Sequence, residues 1–209
     1  MAEEKQRVVL ATHNAGKVRE LAGPLADFGV EVIGLEAFPQ IEDIEETGTT
    51  FEENALKKAT QVLAAAPWAD AALSDDSGLM VDALDGAPGV YSARYAGGAG
   101  HDDQANNHKL LSDMEQVPEE ARGCQFVSAV ALVRRDREPL VVRGEVKGQL
   151  LRTPRGQGGF GYDPLFYYPP LQCSFGELDA AEKNQVSHRK RALEALCAAL
   201  EAEATCGLG

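Results

Sequence analysis

Two neighbouring carboxylates, Asp75 and Asp76, stand between two apolar runs at 71–73 and 79–81. The pattern predicts a short buried strand that delivers the acids to its C-terminal end, which is where ligands bind in open α/β sheets. Adjacent carboxylates repel each other unless they share a cation or a proton. One interpretation is therefore a Mg²⁺ site with an aspartate that activates water. The alternative is an ordinary turn, because Asp, Ser and Gly all favour turns.

A second stretch, from Thr12 to Lys17, has the layout of an anion-binding turn. The apolar, β-branched run at 7–12 predicts a first strand, and a helical pattern of apolar residues begins at Val18. Backbone N–H groups at the start of a helix attract phosphate, and Lys17 would add a charge. The stretch lacks the Walker A pattern. A plain strand-to-helix turn capped by Asn14 is the alternative.

An acidic segment precedes the next predicted helix. Glu45 and Glu46 lie shortly before Thr50, which begins a capping-box pattern, and Phe51 to Ala65 form a strongly periodic helix. The two glutamates are compatible with a solvated acidic loop. They are also compatible with a metal site completed by Asp76, since Mg²⁺ bound to substrate phosphates commonly takes one or two protein carboxylates.

A glycine-rich segment spans residues 156–164. A dinucleotide-binding loop is disfavoured, because no suitable strand precedes the segment and Pro164 blocks the helix that should follow. We expect a loop that brings an aromatic face and a carboxylate, Asp163, to a flat ligand, since glycine permits close backbone approach. The alternative is a turn in which Phe160 and Tyr162 only fill the core.

A C-terminal helix is predicted to open near Ala181, with Ser187 as a plausible N-cap. Three basic residues cluster before and within its first turn: Lys183, His188 and Arg189. Cations at a helix N-terminus oppose the helix dipole, which prefers anions there. The placement indicates an anionic or acceptor-rich ligand. A solvated basic patch is the alternative.

The composition limits the class of protein. The chain has 209 residues, 44% of them apolar, and a formal net charge of −13. Such an acidic surface repels nucleic acid, and no apolar run is long enough to span a membrane. The start of the chain is unlike a signal peptide, and the four scattered cysteines suit reduced thiols, so we expect a cytoplasmic protein. Early strand–helix alternation and later neighbouring strands, at 126–133 and 140–146, predict an α/β fold with a mixed, twisted sheet flanked by helices.

Five stretches in chain order resemble the inosine/xanthosine triphosphate pyrophosphatase family. They are VVLATHNAGKVREL, EETGTTFEENALKKA, LSDDSGLMVDALDGAPGVYSARYAG, GQGGFGYDPLF and EKNQVSHRKRAL, and they extend from Val8 to Leu193. The resemblance implies a single domain over residues 1–209, with two lobes and a central substrate cleft. It also implies a homodimeric, Mg²⁺-dependent enzyme that hydrolyses deaminated purine nucleoside triphosphates (ITP, dITP and XTP) to the monophosphate and pyrophosphate.

The resemblance assigns a role to each matching position. Asp76 would be the general base and, with Glu45, would hold Mg²⁺; Glu46 and Asp75 are the alternatives within the two acidic pairs. The implied substrate-binding residues are Thr12, His13, Asn14, Ala15, Gly16 and Lys17 for the triphosphate, Ser77, Phe160, Gly161, Tyr162 and Asp163 for the nucleoside, and Lys183, His188 and Arg189 for the purine edge. Phe160 would stack on the base. His13 departs from the family, in which many members have glycine, and would narrow the phosphate loop or add a phosphate donor.

The residue types also fit the chemistry directly. Transfer of a nucleotidyl group to water needs a positioned water, a base within reach and a stabilised pyrophosphate leaving group, and we expect attack at the α-phosphorus. Donors that pair with O6 of hypoxanthine or xanthine would face the amino group of adenine, at a cost of about 1–3 kcal/mol for each unpaired buried group. A non-catalytic purine-nucleotide-binding or sensing protein is an alternative, although it would not need the base. An NAD-type oxidoreductase is disfavoured by Pro164.

Overall fold

The computed structural model describes residues 6–12, 18, 30–38, 41, 44, 46–97 and 102–206. Over this part of the chain, seven strands form one sheet in the order β2-β1-β3-β4-β5-β6-β7. The strands are β1 (Gln6–Leu10), β2 (Val30–Gly34), β3 (Ala71–Val81), β4 (Gly123–Arg134), β5 (Arg137–Leu150), β6 (Phe166–Tyr168) and β7 (Cys173–Ser174). β1 is parallel to β2 and β3, whereas β6 is antiparallel to β5 and β7. The α/β class with a mixed sheet is confirmed.

The described helices are α1 (Phe51–Ala65), α2 (Asp103–Asp113), α3 (Ala180–Val186) and α4 (His188–Cys206). The bounds of α1 agree with the periodicity of the sequence, and the Thr50 side chain accepts the N–H of Glu53 at 3.1 Å. Ser187 caps α4 as predicted, since its Oγ accepts the N–H of Lys190 at 3.2 Å. The single helix expected from Ala181 onward is wrong, because the extended Ser187 separates two helices. Lys183 therefore lies in the last turn of α3, where a helix dipole favours a cation, and the expected clash with the dipole is wrong for this residue.

The acidic stretch does not end a strand. β3 continues through Asp75, Asp76, Ser77 and Gly78 to Val81, so both the predicted strand end and the alternative turn are wrong. The strand is longer than its apolar runs suggest because it lies between β1 and β4 in the sheet. Successive side chains of a strand point to opposite faces. The two buried carboxylates therefore do not share one spot.

By its contacts the chain divides into two compact units. The first contains the described residues within Met1–Asp76, Ala129–Gly144 and Ala192–Gly209, and its core includes Leu10 and Leu73 packed with Leu193 and Leu196. The second contains Ser77–Ser128 and Glu145–Arg191. The core of the second unit is built around three phenylalanines, and the rings of Phe126 and Phe166 have centroids 4.7 Å apart.

No helix in the described part of the chain combines the length and the apolar character that crossing a membrane requires. The helical pattern that begins at Val18 falls mostly outside the described residues, as do His13 to Lys17 and Glu45. The predicted central cleft stays a prediction.

Candidate active site

The first unit buries a carboxylate between the sheet and α1. Asp76 lies on the face of β3 that meets this helix, as does Ser74, whose hydroxyl donates to the carbonyl oxygen of Ala55. The Asn54 side-chain amide donates to Asp76 Oδ2 at 3.1 Å. Asn54 is fully buried, and its Oδ1 also accepts the N–H of Gly48 at 2.7 Å. One amide therefore ties the segment before α1 to the carboxylate on β3.

A lysine completes this arrangement. Lys58 Nζ donates to Asp76 Oδ1 at 3.1 Å, to Glu46 Oε1 at 2.9 Å and to the carbonyl oxygen of Asp75 at 3.0 Å. We call Glu46, Asn54, Lys58 and Asp76 the acid–lysine cluster. Of the predicted acidic residues, the structure brings Asp76 and the alternative Glu46 together through this amine. Glu45, the first choice, lies outside the described residues.

Burial and charge set the protonation of this cluster. Burial raises the pKa of Asp76 above its usual range; the Glu46 carboxylate raises it further, whereas Lys58 and Asn54 act in the opposite direction. Burial lowers the pKa of Lys58, but attraction to Asp76 and Glu46 outweighs that effect, so its pKa is raised and the amine stays charged. A carboxylate whose pKa is shifted toward neutrality and that is fixed by two donors is suited to take a proton from water.

Asn54 and Lys58 were not singled out from the sequence. Both lie on the face of α1 that also carries Ala55, Ala59 and Val62, which are fully buried. The sequence does contain a signal for them: polar residues four positions apart interrupt the apolar stripe of the helix. The Asp76 carboxylate that both residues reach is 22 and 18 positions away in the chain, and the periodicity does not identify it.

The structure describes one residue of the predicted phosphate loop, Thr12. Its N–H donates to the carbonyl oxygen of Leu10 at 2.7 Å, and its own carbonyl accepts the N–H of Leu35 at 3.1 Å. These bonds hold the chain just past the end of β1. The described residues contain no group of three or more His, Cys, Asp or Glu side chains arranged to hold a metal ion.

The glycine-rich segment contains two aromatic residues with opposite environments. Tyr162 is buried in the core of the second unit, and its hydroxyl donates to the carbonyl oxygen of Ser92 at 2.8 Å. Burial raises the pKa of this phenol well above its usual range. Phe160 has 54% of its surface exposed. The core-filling alternative therefore holds for Tyr162, while Phe160 presents its ring to solvent, as a ligand-facing residue should.

Cations surround the exposed ring. Lys183 Nζ lies 4.3 Å from the centroid of Phe160, and Arg189 Cζ lies 5.4 Å from it. The same amine donates to Asp163 Oδ2 at 2.5 Å, and Arg189 Nη2 donates to Ser77 Oγ at 3.0 Å. Ser77, Phe160, Asp163, Lys183 and Arg189 are called the aromatic–basic cluster below. Both cations are more than nine-tenths buried, so the alternative of a solvated basic patch is wrong for Lys183 and Arg189.

His188, the third basic residue of that group, contacts an aromatic ring of the core. Its ring is buried and stacks on Phe126, with centroids 4.9 Å apart and planes 15° from parallel. Gly161, which follows Phe160 in the chain, is held through its backbone by α2: its N–H donates to Asp103 Oδ2 at 2.7 Å, and its carbonyl accepts from Asn107 Nδ2 at 3.0 Å.

By its sheet and helices the chain is an α/β protein of the mixed-sheet class, with a buried carboxylate in the first unit and the aromatic–basic cluster in the second. Comparison with known proteins is more specific. Residues 8–199 match the sequence model of the Ham1 family, and the chain belongs to that family. The family recognised from the five sequence stretches is thereby confirmed.

Named relatives and solved structures agree with this assignment. The dITP/XTP pyrophosphatase of Haemophilus ducreyi is 50% identical over 92% of this chain and 97% of its own length. The dITP/XTP pyrophosphatase of Lactiplantibacillus plantarum is 50% identical over 91% of this chain and 93% of its own length. The structure of the Staphylococcus aureus Ham1 protein superposes with a TM-score of 0.86 at 40% identity, covering 95% of this chain and 100% of that one.

Proposed function

We propose that this chain is a nucleoside triphosphate pyrophosphohydrolase that converts ITP, dITP and XTP to the monophosphate and pyrophosphate, and so removes deaminated purines from the nucleotide pool. The observation that carries the proposal is the buried Asp76 carboxylate, held by Asn54 and Lys58, in a chain half identical to proteins named for this reaction.

Asp76 acts as the general base. Its raised pKa lets it accept a proton from the attacking water, and its two side-chain donors keep the carboxylate oriented. Lys58 stays charged because it lies between two carboxylates, and a protonated amine in that position stabilises negative charge on a phosphoryl oxygen. Thr12 to Lys17 are proposed to bind the triphosphate, since the start of a helix supplies N–H donors to anions.

The acid–lysine cluster also suits a divalent cation. Its carboxylate oxygens are the hard ligands that Mg²⁺ prefers, and Mg²⁺ bound to a nucleotide commonly takes only one or two of them. Asp76, with Glu45 or Glu46, would hold the ion. When bound, Mg²⁺ would supply charge neutralisation for the triphosphate and the departing pyrophosphate.

The aromatic–basic cluster is proposed to bind the nucleoside. Phe160 offers one exposed ring face for stacking on the purine, and Lys183 and Arg189 offer donors to O6 of hypoxanthine or xanthine. Asp163 holds Lys183 in place through a buried ion pair. Gly161 and Tyr162 fix the loop, and His188 supports the start of α4 by stacking on Phe126.

The test is a substrate panel of ITP, dITP, XTP, GTP and ATP with Mg²⁺, in which pyrophosphate and orthophosphate are measured separately. We expect pyrophosphate from the deaminated nucleotides and little turnover of ATP. Asp76→Asn should abolish hydrolysis while ITP still binds, and release of orthophosphate alone would refute the proposal. Hydrolysis in oxygen-18 water should label the monophosphate, because attack falls on the α-phosphorus.

Base reading is tested separately by Arg189→Ala, which should reduce the preference for ITP over ATP while leaving Mg²⁺ binding intact. Unchanged selectivity would remove Arg189 from this role. A homodimer and a cytoplasmic location are part of the proposal, and light scattering of the purified chain and cell fractionation would test them.

A further inference from the structure

Two side chains of helix α2 form hydrogen bonds with the backbone N–H and the backbone carbonyl of one residue in the glycine-rich segment, Gly161. Asp103 Oδ2 accepts the N–H of Gly161 at 2.7 Å, and Asn107 Nδ2 donates to the carbonyl oxygen of the same glycine at 3.0 Å. Residues four apart on a helix lie on one face. Asp103 and Asn107 therefore act on Gly161 as a pair, which we call the α2 clamp.

The backbone at Gly161 explains why it can be held in this way. Its φ is +61°, in the left-handed region that favours glycine, and no heavy atom lies within 4 Å of the place a Cβ would take. Glycine is thus required here by backbone conformation and not by lack of space. The two side chains of the clamp hold this conformation.

The residue next to the clamped glycine is Phe160. Its N–H donates to Asp163 Oδ2 at 2.8 Å, so the backbone is held on one side by Asp163 and on the other by the α2 clamp. The ring itself is 54% exposed and has Lys183 and Arg189 beside it. An exposed aromatic ring on a firmly held backbone is preorganised for a flat ligand, because little conformational freedom is lost on binding.

The clamp is not explained by stability alone. Asp103 is exposed, where a hydrogen bond contributes little. Asn107 Oδ1 is buried and accepts no hydrogen bond from the part of the chain that the structure describes. A buried acceptor without a partner is a net cost to the folded state. An asparagine at this position therefore suggests a gain other than folding.

We infer that Asp103 and Asn107 are positioning residues that set the orientation of the Phe160 ring for stacking on the purine base. The inference rests on the proposed function, and neither residue is assigned contact with the substrate. Loss of the clamp removes binding energy that is similar in the ground state and the transition state. The double variant Asp103→Ala/Asn107→Ala should raise KM for ITP by about 5-fold or more, as expected for weakened base–aromatic stacking, while kcat changes by less than about 2-fold.

Conservative variants separate geometry from charge. Asp103→Asn keeps an acceptor for the Gly161 N–H and should retain the KM of the unaltered chain. Asn107→Asp places a carboxylate oxygen against the Gly161 carbonyl and should raise KM as the alanine variant does. Gln104→Ala, at an exposed position on the same turn, is the matched control and should leave KM and kcat unchanged. Thermal unfolding of each variant confirms that it is folded.

A double-mutant cycle decides whether the clamp acts through Phe160. If it does, the clamp variant raises KM in the presence of Phe160 but adds less than about 2-fold in a Phe160→Ala background. An unchanged KM in the clamp variant, or the same rise with and without Phe160, would overturn the inference and leave the proposed function standing. No turnover of ITP by the unaltered chain would overturn the proposed function and this inference with it.

Discussion

Replacing Lys58 with methionine would remove the cation that lies between Glu46 and Asp76 while keeping most of the apolar stem. The amine is 2.9 Å from Glu46 and 3.1 Å from Asp76, and the side chains of Lys58 and Asp76 are only 12% and 9% exposed. Breaking a buried ion pair by removing one partner costs about 3–5 kcal/mol. Glu46, which is 27% exposed, adds less than about 1 kcal/mol.

Protonation of Asp76 limits this loss. Without the amine, Asp76 can remain buried by binding a proton. Protonation costs about 1.4 kcal/mol for each pH unit above the ordinary aspartate pKa, and pH 7 lies roughly three units above it, so the cost at pH 7 is about 4 kcal/mol. At pH 5 the same step costs about 1.5 kcal/mol. The pKa of Asp76 in the folded variant is raised above its unfolded value, so stability falls as pH rises through it. We expect a deficit of about 3–4 kcal/mol at pH 7 and about half of that or less at pH 5.

Urea unfolding at the two pH values, without added divalent cation, measures the deficit. Lys57→Met is the matched control, because the neighbouring amine bonds to Thr47 at 2.7 Å at an exposed position and should cost less than about 1 kcal/mol. A Lys58→Met deficit below about 1 kcal/mol at pH 7, or one of equal size at pH 5, would refute the view that Lys58 neutralises a buried Asp76.

Three other substitutions test the roles of buried or hydrogen-bonded side chains. Asn54→Ala should lower kcat for ITP at least about 10-fold, because Asp76 loses a donor that orients it, and saturating pyrophosphate-release assays would measure this. Arg122→Met should destabilise the chain by about 3 kcal/mol or more in urea unfolding, since the fully buried guanidinium donates to four backbone carbonyls; a loss under about 1 kcal/mol would contradict this. Tyr95→Phe should raise the pKa of Asp113 toward its usual value in an NMR titration, because the Tyr95 hydroxyl is the main group that lowers it. Because the pKa of Asp113 is lower in the folded state, this carboxylate stabilises the fold above about pH 4, and the stabilisation is lost as pH falls through the folded-state pKa of Asp113.

Local sequence patterns predicted the elements with strong periodicity. The helix over Phe51 to Ala65 has the expected bounds, and the strand predicted over 126–133 lies within β4. Strands β6 and β7, three and two residues long, were not predicted, because alternation cannot be recognised in so few residues. The extension of β3 through Asp75 to Gly78 depends on its neighbours in the sheet, which local propensity does not include.

The candidate site was predicted unevenly for a related reason. Phe160, Asp163, Lys183 and Arg189 were named from glycine content, charge and family resemblance, and the structure brings them together. A site role for Lys58 was not predicted, because the groups it contacts lie on other elements of the chain. Tertiary packing, and not spacing along the chain, determines which of several acidic residues a buried lysine meets.

Phe160 and Tyr162 lie two positions apart in the chain, but the first side chain is exposed and the second is buried. Tyr162 anchors the loop in the hydrophobic interior, whereas the exposed ring two positions earlier contributes little to that interior. Changes at position 160 should therefore alter what the protein accepts without endangering the fold. If Phe160 stacks on the base as proposed, ligand preference and folding depend on separate residues, and a small library at this single position is a practical starting point for re-engineering selectivity.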